Sequence, residues 1–263
     1  MTDSVPEASS KPPPNRLAIS HLMLWTLGSG VVLAFHRLQE VPTSGTPPGI
    51  QIAISSFAIL NSLPSGAAVG SLALWAYRRC RGRVGFPTQP GHWLLLASGL
   101  LTVLFSCQFA VGMLLEHPLE ELAFLRKWDV DLFRLSLFLG PSSVAGAAFY
   151  SVGLWSMRDE SRLWNAAIGS LIVQFAGGYL LAAAGLVWAV FSGSGDSEMP
   201  FIIAFQCGFV VFGLISTVMI AWAAITDPRR RDRDFIHWTG IVAAFASIVL
   251  NFATMLVFFL LQR

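Results

Sequence analysis

Long apolar runs alternate with short polar breaks along almost the whole chain. Seven runs stand out, at about 17–35, 50–77, 92–115, 132–157, 163–191, 200–225 and 237–261. A hydrocarbon core about 30 Å thick needs about 20 helical residues at 1.5 Å each, and every run is near or above that length. A backbone in lipid must satisfy its own hydrogen bonds, so runs of this kind predict helices. The expected fold is all-α and integral to a membrane: a seven-helix transmembrane bundle over residues 17–263, preceded by a disordered cytoplasmic tail over residues 1–16 that carries Pro12-Pro13-Pro14. The first run follows Lys11 and Arg16 as a signal sequence would. It outlasts an ordinary signal core and ends at Phe35-His36-Arg37 without a small-residue cleavage site, so it reads as a retained first helix. The loops are too short to host a folded module outside the membrane.

The polar breaks are not equivalent. With the N-terminus in the cytoplasm, twelve of the seventeen Lys and Arg residues fall on that side: Lys11, Arg16, Arg78, Arg79, Arg81, Arg83, Arg158, Arg162, Arg229, Arg230, Arg231 and Arg233. The other side receives Arg37, Arg126, Lys127, Arg134 and Arg263. Retention of positive charge on the cytoplasmic side predicts an N-in, C-out orientation. That is opposite to rhodopsin-like receptors. The 116–131 break differs from the rest, because Leu119, Leu122, Leu125, Trp128 and Leu132 recur at helical intervals among charged residues. This spacing predicts a short amphipathic helix on the outer interface, with Pro118 near its first turn.

Helices two to seven read as three copies of one hairpin after helix one. Each even helix ends near a Trp, a basic loop follows, and a second Trp opens the odd helix: Trp75/Trp93, Trp155/Trp164 and Trp222/Trp238. Within each odd helix an amide precedes Phe-Ala, at Gln108, Gln174 and Asn251. These amides lie roughly 15–22 Å beyond the opening tryptophans at 1.5 Å per residue, which is near mid-bilayer. Two readings follow. Intramembrane amides bind helices to one another, or they line a midplane site for a carrier or channel, since internal symmetry is common in transporters. Helix two offers Gly66, Ala67, Ala68, Gly70 and Ser71, helix four Gly140, Ser142, Ser143, Ala145, Gly146 and Ala147, and helix five Ala176, Gly177, Gly178 and Ala182 to Gly185. Such small residues let backbones approach closely in lipid. The carbonyls freed near Pro64 and Pro141 are expected to find the adjacent serines.

Composition narrows the chemistry. The chain is 54% hydrophobic and 12% charged, with a net charge of only +2, against roughly 25% charged in soluble domains. No Asp, Glu, Lys or Arg lies deep in any run, which argues against proton relays, ion-coupled pumps and voltage sensors. It also leaves no carboxylate pair for hydrolysis. Three cysteines without paired spacing imply neither a disulfide framework nor a zinc site; Cys107 and Cys207 read as small buried hydrophobes, and Cys80 stands among arginines. His21, His92 and His237 gather at the cytoplasmic ends of helices one, three and seven, with His36 and His117 at the outer ends. Facing imidazoles can bind haem or copper, but histidine is also an ordinary boundary residue, and no cofactor or metal is expected.

Two resemblances to known families bear on function. Pro64-Ser65-Gly66 and Gly140-Pro141-Ser142-Ser143 resemble the G-x-S-G turn of rhomboid proteases, but Leu63 precedes Pro64 and no deep histidine is present to act as base. The layout of seven helices, N-in and C-out, in 263 residues is similar to subunit III of haem–copper oxidases. That family's carboxylate in the third helix is replaced by Ser106-Cys107-Gln108-Phe109, and its His-rich stretches are missing. The resemblance implies an accessory subunit. The sequence thus points to a multi-pass inner-membrane protein, a non-enzymatic scaffold or accessory subunit, with the uncoupled carrier or channel as the alternative. Its partners are the lipid bilayer and other membrane subunits, and no nucleic acid is expected.

Overall fold

The computed structural model describes residues 19–39, 48–82, 87–121, 130–192 and 198–261. Seven α-helices account for nearly all of them: α1 Ile19–Gln39, α2 Pro48–Cys80, α3 Pro90–Glu121, α4 Val130–Ser156, α5 Arg162–Ser192, α6 Glu198–Thr226 and α7 Phe235–Leu261. A single 3-10 turn, Arg230–Asp232, precedes α7, and no strand occurs among the described residues. Four stretches are long and apolar enough to cross a membrane: Ile19–Arg37, Ser55–Cys80, Pro90–Gln108 and Arg162–Trp188. Val210–Thr226 and Phe235–Leu250 are shorter apolar stretches of α6 and α7. The tail over residues 1–16 lies outside the described residues.

Helices α3 to α7 each pack on the next, and α7 returns to pack on α3, so the five close a ring. Helix α2 lies against both α3 and α7, and α1 lies against α2. The burial of the spans follows from this order: half of the α3 span is buried but only 17% of the α1 span. Inside the ring, Trp93, Leu94, Tyr150, Trp164, Ile168, Leu171, Phe175, Ile220 and Ile241 form one apolar core. Outside it, Leu180, Val187, Ile215, Val218 and Val242 face outward.

Small residues set the closest approaches, as the sequence predicted for α2. A Cβ added to Gly28 would strike the Gly66 carbonyl, and one on Gly70 the Leu24 carbonyl, so α1 and α2 meet backbone to backbone. Trp25 fastens the same seam by donating its indole N–H to the Ser71 hydroxyl at 2.9 Å. Gly99 meets the Ala68 carbonyl between α3 and α2, and Gly146 meets the Phe175 ring between α4 and α5. Gly140 and Gly177 face open space. Both helices run through their prolines, Pro64 and Pro141. Near Pro64 it is Ser62 that bonds a carbonyl, that of Ile59 at 2.7 Å; Ser142, beside Pro141, turns to the neighbouring helix instead.

Two expectations change. Residues 116–121 continue α3 through Pro118 rather than starting a separate interfacial helix, and residues 122–129 lie outside the described residues. Cys107 and Cys207 are exposed on the outward faces of α3 and α6, not buried. An outward thiol on an apolar face costs little, because sulfur there behaves as another small hydrophobe. The paired tryptophans differ in burial, with Trp75 of α2 half-buried. On the even helices Trp155 and Trp222 are 74% and 60% exposed, whereas on the odd helices Trp93 is buried, Trp164 is fully buried and Trp238 is half-buried.

Candidate functional site

The residues singled out at mid-depth come first. Gln108 on α3 accepts a hydrogen bond from the Ser142 hydroxyl of α4 at 2.6 Å. Gln174 on α5 is buried and accepts from Ser216 of α6 at 3.4 Å, and Ser170 donates to the same Ser216 at 3.1 Å. Gln108 and Gln174 are therefore each bound to a serine on the next helix of the ring. The side chain of Asn251 lies outside the described residues, although its backbone belongs to α7. Tyr150 and Gly146 pack against Phe175, which fills the ring beside Gln174.

The larger polar cluster sits at the end of the bundle where α3, α5 and α7 begin. Helix α3 opens on Pro90, whose missing N–H costs nothing at a first helical position. The next N–H, on Gly91, is an orphan of the helix start, and it donates to His237 Nδ1 of α7 at 3.0 Å. That bond requires close contact, and the glycines supply it: a Cβ on Gly91 would strike the His237 backbone, and one on Gly240 the Gly91 carbonyl. Helix α7 is capped by Asp234, whose Oδ1 accepts from the His237 N–H at 2.9 Å, three residues on. The same oxygen meets His92 Nε2 at 2.8 Å. Because His92 Nδ1 accepts the Thr88 N–H at 3.2 Å, its proton belongs on Nε2, which donates to Asp234. Gln89 Oε1 accepts the Asp234 N–H at 3.3 Å. The two His-Trp pairs of the sequence therefore meet face to face, with both histidines fully buried.

A second knot joins the hairpin tips. The side chain of Arg233 is buried and forks onto Glu160, with Nη1 to Oε1 at 3.0 Å and Nη2 to Oε2 at 2.8 Å, while its Nε donates to Asp227 Oδ2 at 2.8 Å. Asp227 Oδ2 also accepts the indole N–H of Trp164 at 3.0 Å, and Oδ1 accepts the Arg229 N–H at 2.9 Å. Burial pushes the Asp227 carboxyl up. Hydrogen bonds from Arg233, the Arg229 N–H and Trp164, with the charge of Arg233, outweigh it and hold the group below its ordinary value of 3.8. For Arg233, burial favours the neutral form, but the bonds to Glu160 and Asp227 and their charges win and hold the guanidinium above its ordinary value. One buried cation thus answers two carboxylates, each from a different loop.

The arrangement is poor in free chemistry. Three of the four ring nitrogens of His92 and His237 are engaged, and His237 Nε2 is buried without a hydrogen-bond partner. Its ring stands edge-to-face with Trp164 at 5.5 Å and Trp238 at 5.3 Å between centroids. Among the described residues no three His, Cys, Asp or Glu side chains converge as a metal set. His21 is buried on α1 and its ring is tilted against Trp25, which stacks on Phe235 of α7.

Sequence reasoning placed His92 and His237 together but missed Asp227, Asp234, Glu160 and Arg233, because loop charges are ordinarily solvated. One signal was present: Asp234 stands directly before the apolar start of α7, where a capping residue belongs. No family model matches the chain, and no curated protein and no solved structure matches it.

Proposed function

We propose that this chain is a non-enzymatic scaffold or accessory subunit of an inner-membrane complex, crossing the bilayer seven times with its N-terminus in the cytoplasm. The observation that carries the reading is where the polar side chains go. Gln108 and Gln174 are spent on serines of neighbouring helices, and His92, Asp227, Asp234 and Arg233 on contacts between loops and helix ends. These bonds rigidify a bundle, and a rigid bundle with outward apolar faces is what a structural subunit needs. The orientation is supported by the arginines, since Arg78, Arg79, Arg81, Arg158, Arg162 and Arg229 to Arg233 all flank the ends where the odd helices begin.

The deciding experiment is purification from native membrane in mild detergent, followed by mass spectrometry of what stays bound at equal stoichiometry. A partner chain at fixed ratio is expected. Substituting leucine at Gln108, Gln174 and Asn251 together separates this reading from a conduit. Lower thermal stability with the partner still bound fits the scaffold; solute flux in proteoliposomes that vanishes in a fully folded triple variant overturns it. A reporter fused after Arg263 and active only in the cytoplasm would refute the orientation.

A further inference from the structure

The loop end of the bundle sorts its charges by depth. Its acids turn inward: Glu160, Asp227 and Asp234 are consumed by Arg233, Trp164, His92 and backbone N–H groups. Apart from Arg233, its arginines turn outward. Arg79, Arg81, Arg158, Arg162, Arg230 and Arg231 are exposed, and none pairs with a carboxylate among the described residues. Asp159 and Asp232 are the exposed acids there among the described residues. Three acids and one arginine are thus withdrawn from the surface, which leaves exposed positive charge in excess on this face.

Two of these guanidiniums are held in place. Arg81, one residue past the end of α2, lies over the exposed Tyr77 ring at 5.2 Å, and Arg230 lies over the Trp238 ring at 5.6 Å. A guanidinium stacked on a ring uses its flat face and keeps its N–H edge free, which suits it to fork onto a phosphate. Stacking also removes side-chain freedom before the ligand arrives. Tyr and Trp rings favour the headgroup level of a bilayer, and here each carries its arginine at a helix end.

We propose that this face binds the phosphodiester headgroups of anionic phospholipids, anchored by Arg81 on Tyr77 and Arg230 on Trp238. Arg78 and Arg231 stand next to the two anchors and add charge. The inference rests on the membrane reading but not on the existence of a partner subunit, so it survives if no partner is found.

The test uses the full chain, purified and stripped of lipid in mild detergent. Native mass spectrometry counts bound lipid as phosphatidylglycerol, phosphatidylcholine or inorganic phosphate is added, and a melting curve accompanies each titration. Wild type is expected to retain phosphatidylglycerol several-fold better than phosphatidylcholine and to melt higher with it. The double variant R81Q/R230Q is expected to lose that preference while melting as wild type does without lipid, since both side chains are exposed. R81K/R230K keeps the charge and loses the fork, so it is expected to fall well below half of the wild-type retention. Equal retention of both lipids, or an undiminished preference in either double variant, overturns the proposal. Inorganic phosphate reproducing the full melting shift would assign a small-anion site instead and overturn the lipid.

Discussion

Two buried polar layers hold the helices of this protein, and they are built from different chemistry. At the loop end, Arg233 pairs with Glu160 and Asp227, and the Asp234 carboxylate accepts from the His92 ring. Deeper in the ring, Gln108, Ser142, Gln174, Ser170 and Ser216 make neutral ones. Depth explains the division. Gln174 lies twelve residues beyond Arg162, or roughly 18 Å at 1.5 Å per residue, where an ion would have to be stripped of water altogether. At the loop end the ions were born in water and are withdrawn only a short way, with a fork of hydrogen bonds ready to receive them. A charged layer should therefore be strong but intolerant of losing one member, and a neutral layer weak but forgiving.

The comparison breaks first at Arg233. Replacing Arg233→Met leaves Asp227 without its cation and Glu160 with only the exposed Arg229 at 3.7 Å, and breaking a buried pair in this way costs about 3–5 kcal/mol. We expect most of the variant to lose its monodisperse peak on size-exclusion chromatography after mild heating. Adding Glu160→Gln and Asp227→Asn to the same chain should recover much of that loss; if it does not, the carboxylates are not the cause. Next comes the seam between α3 and α7, where Gly240→Ala drives a methyl against the Gly91 carbonyl. Overpacking at such a point costs about 1–3 kcal/mol, and a thermal midpoint equal to wild type would show that the helices part freely there.

Asp234→Ala removes the cap of α7, worth about 1 kcal/mol, and strands the buried His92 N–H besides. Asp234→Asn keeps a capping oxygen and should sit between that variant and wild type in thermal midpoint. In the neutral layer, Gln108→Leu and Gln174→Leu are each expected to cost only about 0.6–2 kcal/mol. If either equals Arg233→Met in its effect, the contrast between layers is wrong. The smallest effect is a change of slope. The Asp227 carboxyl sits below its unfolded value of 3.8 when folded, so its contribution is whole above that pH and drains as the pH falls through the folded value. Midpoints measured between pH 6 and pH 3, as roughly spaced steps, should fall more steeply for wild type than for Asp227→Asn. Parallel curves would remove Asp227 from the account.

The helices were legible because an apolar run and a helix in this chain are nearly the same object. Each observed helix matches the corresponding run to within a few residues at its ends, and most extend it, as when 92–115 becomes Pro90–Glu121 and 50–77 becomes Pro48–Cys80. The extension at α3 had a cause that hydropathy does not carry, since Glu116-His117-Pro118 looks like a break and the helix passes through it. The small residues of α2 announced its close seams, whereas in α5 they divide: Gly178, Ala182 and Gly185 are buried and Gly177 faces open space. The mid-depth amides were legible as positions and not as partners. A serine on the adjacent helix carries no mark in the sequence that it will be the one to bond. The charged knot was the least legible of all. Glu160 and Arg233 are 73 residues apart, and each is an ordinary loop residue in its own neighbourhood.

That spacing also has a meaning in time. Glu160 leaves the ribosome long before the residue that completes its fork, and it must wait at the tip of a finished hairpin, still hydrated. When Arg233 and the start of α7 arrive, the late segment finds the two older hairpins through the same contacts that close the ring. Chains cut before residue 233 would carry six of the seven helices with the latch still open, and quality-control proteases should clear them first.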